Sequence, residues 1–308
     1  MPGVHRYWLI CRRRIIQWMS LAISNAYFKG FFTGRIYKGK LKSICVPGLN
    51  CYSCPGAIAS CPLGSLQAVL GSYQYRFSFY VTGLMVGFGL LFGRFICGFL
   101  CPFGLFQELL RKIPSYKTAG YPQQRYWRWL RRIKYVLLAV FVVGLPLFFR
   151  NDMGLGDPAF CKYICPAGTI TAGLPLVAAN PPMRGTIGWL FVLKTSIAAA
   201  VVAACVFVYR FFCRALCPLG AFYGLFNRIS LYRLRMDENA CVHCGRCAGI
   251  CKMGVDPSRM PDSPECILCG DCVRTCALNA LSIGFKVFDG TSAEPGRKSR
   301  LGRPAVRR

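Results

Sequence analysis

Residues 92–104 read FGRFICGFLCPFG and residues 208–220 read VYRFFCRALCPLG, so an arginine and a Cys-x3-Cys-Pro pair recur at the ends of two apolar runs. Residues i and i+4 of a helical end face the same way, which sets Cys97 beside Cys101 and Cys213 beside Cys217. A proline after the second cysteine suits the first turn of a new helix. The chain is therefore expected to break at Cys101 and restart as PFGLFQELLRKI, an interfacial amphipathic helix, and to repeat this at Cys217 with PLGAFYGLFNRI.

The composition agrees with a membrane protein: of 308 residues, 54% are hydrophobic and only 16% charged. Apolar windows at about 15–32, 77–96, 133–149 and 187–212 each approach the length that crosses a hydrocarbon core of about 30 Å. The first contains Gln17, Asn25 and Lys29, and an interfacial amphipathic helix is the alternative there. Lys194 lies near one end of the last, where its stem can snorkel. No cleavable leader features flank the first window.

The net charge of +28 would suit nucleic acid, but its placement does not. Arg12 to Arg14 precede the first window, and Arg111, Lys112, Lys117, Arg125, Arg128, Arg131, Arg132 and Lys134 fall between the second and third. Under the positive-inside rule this face is cytoplasmic, although Arg35, Lys38, Lys40, Lys42, Arg150, Lys162 and Arg184 make the opposite loops basic as well.

Twenty cysteines stand against two histidines, His5 and His243, which argues for thiolate-held metal and against bis-histidine haem. Residues 241–251, CVHCGRCAGIC, and 266–276, CILCGDCVRTC, both read Cys-x2-Cys-x2-Cys-x3-Cys. In such loops three thiolates wrap one iron-sulfur cube and the fourth reaches its neighbour. Cys241, Cys244, Cys247 and Cys276 then hold one [4Fe-4S] cluster, and Cys266, Cys269, Cys272 and Cys251 the other. Zinc knuckles fit less well, since they use two Cys-x2-Cys pairs. Gly245 and Gly270 suit the loop backbone, and His243 reads as a solvent-side spacer. The proline common after the fourth cysteine is replaced by Lys252 and Ala277, neither a ligand.

Two like-oriented Cys-x3-Cys-Pro helices bring four thiolates to one face, so Cys97, Cys101, Cys213 and Cys217 are expected to hold a third cluster, with Arg94 and Arg210 offsetting its charge. A metal-free pair of redox dithiols is the alternative. Six further cysteines, Cys45, Cys51, Cys54, Cys61, Cys161 and Cys165, fall on the far side by the four-span count. They are candidate ligands of at least one more cluster, or disulfides. In each group a Cys-Pro opens a short helix, PGAIASCPLGSLQAVLG or PAGTITAGLPLVAA, read as a re-entrant half-helix. Cys11 and Cys205 read as ordinary thiols.

The Cys-x3-Cys-Pro motifs at 97–102 and 213–218 and the tandem motif at 241–276 resemble the membrane-bound 4Fe-4S binding proteins related to the integral ferredoxin subunits of periplasmic nitrate reductase and nitrous oxide reductase systems. The resemblance covers about residues 75–285. It implies a quinol-linked or ferredoxin-linked electron carrier that serves a partner reductase; the additional cysteines at 45–61 and 161–165 leave that partner open.

The expected fold is mainly α. A polytopic helical membrane domain at 1–234, with about four transmembrane helices plus re-entrant half-helices, precedes an α+β two-cluster ferredoxin-like domain at 235–286 and a basic disordered tail at 287–308. The expected function is one-electron transfer between a cytoplasmic donor or acceptor and the membrane, to quinone or to a partner on the far side. The chain is read as a component of an oxidoreductase system, a quinol dehydrogenase subunit for example, and not as a stand-alone enzyme. Expected partners are a redox protein, quinone and membrane lipid, without nucleic acid; no nucleotide fingerprint is present, so neither haem nor nucleotide is expected. Rival readings are a thiol-disulfide sensor and a metal-reductase or cofactor-assembly protein.

Overall fold

The computed structural model describes residues 12–72, 78–114, 125–149, 151 and 154–285. Cys11 and the expected tail at 287–308 lie outside them. The described chain is mainly helical, with one small sheet in which Tyr232–Met236 pairs antiparallel with Leu281–Phe285, placing Leu234 opposite Ile283. These two strands, from either end of the tandem cysteine segment, pack Leu234, Leu281 and Ile283 with Leu268 and Val273 into one core.

Trp189–Phe207, 19 residues, is the one helix among the described residues long and apolar enough to cross a membrane. Phe79–Phe92 is apolar but spans 14 residues. The window at 15–32 is divided: a helix covers Arg13–Ser24 and a short one Lys29–Thr33. Asn25 ends the first by turning its own Nδ2 onto the Leu21 carbonyl at 3.2 Å, which competes with helix continuation.

Both Cys-x3-Cys-Pro segments break twice, and not only at the proline. Phe79–Phe92 stops at Gly93 (φ 51°) and Trp189–Phe207 stops before Arg210 (φ 51°). Short helices Phe95–Phe99 and Phe211–Ala215 follow, then Pro102–Leu110 and Pro218–Phe226. Positive φ suits glycine but strains arginine, so Arg210 must be held by its contacts.

Prolines also shape the remaining helices. Arg125–Leu137 widens into a π segment, Leu138–Gly144, ahead of Pro146, and Phe160–Ile164 and Thr169–Gly173 precede Pro166 and Pro175. A proline cannot donate to the ladder, and the wider turn accommodates the loss. The first half-helix starts at Pro62 and runs to Gly71; Cys54-Pro55 opens only a turn, correcting the expected start at Pro55.

Candidate iron-sulfur sites

Cys97, Cys101, Cys213 and Cys217 are all buried and near enough for their thiolates to repel one another. Burial, with Cys213 and Cys97 as neighbours, pushes Cys101 up to about 12; a metal that binds such a thiol displaces its proton. Gln107 donates Nε2 to Cys213 Sγ at 3.0 Å, and the Gly220 amide donates to Cys217 Sγ at 3.3 Å.

Arg94 and Arg210 are fully buried and crossed between the two repeats. Arg94 Nη2 donates to the Cys213 carbonyl at 3.0 Å, while Arg210 Nη1 donates to the Cys97 carbonyl at 2.6 Å. Each also meets a carboxylate: Arg94 pairs with Glu265 at 3.0 Å and Arg210 with Glu108 at 2.8 Å. Lys134 joins Glu265, and Arg13 joins Glu108. Burial would raise both glutamates, yet these cations hold them below the ordinary carboxylate range. The arginines are thus cross-ties between repeats as well as nearby positive charge. Arg94 Nε is buried with no hydrogen-bond partner among the described residues, a donor that a sulfide-bearing cluster within reach would satisfy.

The tandem segment is built on a repeated backbone. His243 (φ 50°) and Gly245 (φ 74°) match Leu268 (φ 52°) and Gly270 (φ 80°), and Gly254 (φ 64°) matches Asn279 (φ 51°). Glycine takes this conformation freely, but at His243 and Leu268 it is costly unless the loops must wrap something. Cys251, Cys266, Cys269 and Cys272 line one small cavity, the set the spacing assigns to one cluster. Burial and the neighbouring Cys269 push Cys266 up to about 12. Cys241, Cys247 and Cys276 are half-buried and Cys244 is exposed, with His243 on the solvent side. Among the described residues no group of Cys, His, Asp or Glu converges as a single bound ion would require. A cubane instead spreads its four thiolates over four irons.

The buried loop docks on the paired Cys-x3-Cys-Pro repeats. A Cβ on Gly98, between Cys97 and Cys101, would lie 2.4 Å from the Ile267 carbonyl. Asn227 donates to the carbonyls of Ser263 at 2.9 Å and Cys266 at 2.8 Å, and Arg214 donates to Met253 at 2.8 Å.

Of the remaining six cysteines, Cys51, Cys61, Cys161 and Cys165 line a cavity of about 540 Å³. Cys45 instead contacts Ser65 Oγ at 3.4 Å, and Cys54 contacts Asn25 Oδ1 at 3.8 Å. Lys194 does not turn away toward a headgroup: it donates to the Cys161 carbonyl at 3.2 Å and lines the same cavity. Sequence reasoning passed over Gln67, Gln107, Tyr223, Glu108 and Glu265. A glutamine six residues after the cysteine of both CPLG at 61–64 and CPFG at 101–104 was the available signal for the first two. Cys205 is also tied in, with its Sγ 3.5 Å from Gln107 Oε1.

A model of the 4Fe-4S binding domain matches residues 75–120, 135–177 and 187–236, so each match contains one Cys-x3-Cys-Pro. The chain is 33% identical to protein NirI of Paracoccus denitrificans over 66% of this chain and 29% of NirI. It is 28% identical to the methylamine utilization ferredoxin-type protein MauN of the same organism, over 81% of this chain and 77% of MauN. It is 31% identical to the regulatory protein NosR of Pseudomonas aeruginosa, over 58% of this chain and 23% of NosR. The chain thus spans under a third of NirI and of NosR. No solved structure matches it.

Proposed function

Because the chain is a ferredoxin-type 4Fe-4S binding domain protein related to NirI, NosR and MauN, we propose that it is a multi-pass membrane electron relay. In this reading its cytoplasmic ferredoxin segment passes single electrons to or from the Cys97/Cys101/Cys213/Cys217 site, and onward to quinone or a partner across the membrane. The observation that carries it is the direct seat of the Ile267 loop on Gly98, which leaves no intervening chain between two thiol sets.

A [4Fe-4S] cluster supplies one-electron chemistry. The residues hold the spacing, exclude water and set the charge: Arg94, Arg210 and Lys134 against Glu265 and Glu108. A lipid setting is supported by an inverted surface. Ile15, Trp18, Met19 and Ile23 are exposed while Gln17 is buried and donates to Gly98, and Phe79, Val136, Phe148, Trp189 and Val192 are exposed on other helices. Such a spread of apolar side chains is disfavoured in water.

The test is iron and acid-labile sulfide content of the purified chain with Cys97→Ser and Cys213→Ser. Loss of about four irons in each supports the relay. Unchanged iron and an unchanged EPR spectrum would remove it and favour a thiol-disulfide sensor. Optical reduction by quinol then tests the quinone link.

A further inference from the structure

The outer cavity repeats the construction of the Cys97/Cys213 site, down to its helix starts. Cys61-Pro62-Leu63-Gly64 and Cys165-Pro166-Ala167-Gly168 share the Cys-Pro-x-Gly of 101–104 and 217–220. In all four the cysteine is extended and the proline opens a helical turn. Cys161 and Cys165 form a third Cys-x3-Cys-Pro pair.

The side-chain donors repeat as well. Gln67 places Nε2 3.2 Å from Cys161 Sγ, as Gln107 places its own 3.0 Å from Cys213 Sγ. Both glutamines are fully buried. A polar amide committed to a sulfur in a dry interior is an expensive arrangement, repeated here at a second place.

One position breaks the parallel and identifies the fourth thiol. Four residues before Cys61 stands Ala57, where the inner site has Cys97. Cys51 takes the place: its Sγ lies 3.5 Å from where a Cβ on Gly168 would stand, and Cys161 Sγ lies 3.8 Å from the same point on Gly64. Each thiol thus faces the first turn of the opposite half-helix. Lys194 supplies a cation at the wall, the role Arg94 and Arg210 play inside.

We propose that Cys51, Cys61, Cys161 and Cys165 bind a [4Fe-4S] cluster of their own, and that Cys45 and Cys54 are outside its ligand set. The proposal rests on the relay reading, in which the paired thiols hold clusters. On binding, each thiol loses its proton as its sulfur coordinates one iron, so four protons leave for one cluster. Buried Tyr223 is near cysteines of both sites, Cys61 of this one and Cys97 and Cys101 of the inner one. Its hydroxyl donates to the Pro47 carbonyl at 3.1 Å.

The experiment is anaerobic purification of the full chain and of six single Cys→Ser variants, at positions 51, 61, 161, 165, 45 and 54, with iron, sulfide and reduced EPR spectra measured on each. Substitution at 51, 61, 161 or 165 is expected to remove about four irons per chain and one EPR component. C45S and C54S are expected to retain both. Retention of the ferredoxin signals shows that a variant has folded. Full iron in the first four variants overturns the proposal, as does equal loss in C45S or C54S. Disulfide-blocked thiols at 161 and 165, found by alkylation of the denatured unreduced chain, also overturn it. C97S separates the two readings: if it loses iron while the outer variants do not, only this inference falls, and if it too keeps its iron the relay falls with it.

Discussion

The two ferredoxin loops share one backbone and have opposite surroundings. Val242 is 66% exposed and its counterpart Ile267 is 1% exposed; His243 faces solvent where Leu268 is buried. Ala240 corresponds to Glu265, the acceptor of two buried cations. The loop fold answers to the ligand, while the residues between the ligands decide what it faces. One loop is left exposed and the other is committed to the Cys-x3-Cys-Pro repeats.

The comparison is broken hardest at Glu265. Glu265→Ala strands Arg94 and Lys134 in a dry interior and is expected to cost about 3–5 kcal/mol, read as a lower unfolding midpoint in detergent. Ala240→Glu, on the other loop, is expected to change little. Gly98→Ala comes next. Its Cβ would push on the Ile267 carbonyl, which is backbone and cannot swing aside, at about 1–3 kcal/mol. The EPR signal of the Cys251/Cys266/Cys269/Cys272 set should shift while that of the other set stays.

Iron release sharpens the contrast without mutation. Under a chelator with oxidant, the set containing exposed Cys244 is expected to lose its iron first, giving a separate early phase of about four irons. A single phase covering both sets would mean the burial difference does not govern access. The smallest effect is expected at the strained positions. His243→Gly relieves a left-handed backbone and loses little packing, so stability should stay within about 1 kcal/mol. Leu268→Gly relieves the same strain but gives up a buried side chain, and should lose about 2 kcal/mol or more.

The ligand spacings were legible in the sequence because a cluster loop is local: Cys241, Cys244 and Cys247 must close on one object within seven residues. The inner pairs were legible because they repeat. The charge-bearing interior was not, since Glu265, Glu108 and Lys134 carry no local mark of burial, and in a molecule with apolar residues outside the usual inside-outside pattern misleads. The proposed division of the six outer cysteines depended on the tertiary approach of residues 51 and 168, 117 positions apart in the sequence. Helix limits failed where backbone conformation, at Gly93 and Arg210, acted before the proline did.

The crossed arginines also impose an order on synthesis. Arg94 finds its hydrogen-bond acceptors on Cys213, Pro264 and Glu265, all of which leave the ribosome long after it. Until then a guanidinium must wait unpaired beside an apolar segment, and the first cysteine pair has only half its companions. The nascent chain therefore cannot mature site by site from its beginning. If the inner site holds the proposed cluster, its closure waits for the last quarter of the polypeptide, and a truncated product is left without the ties from Pro264 and Glu265.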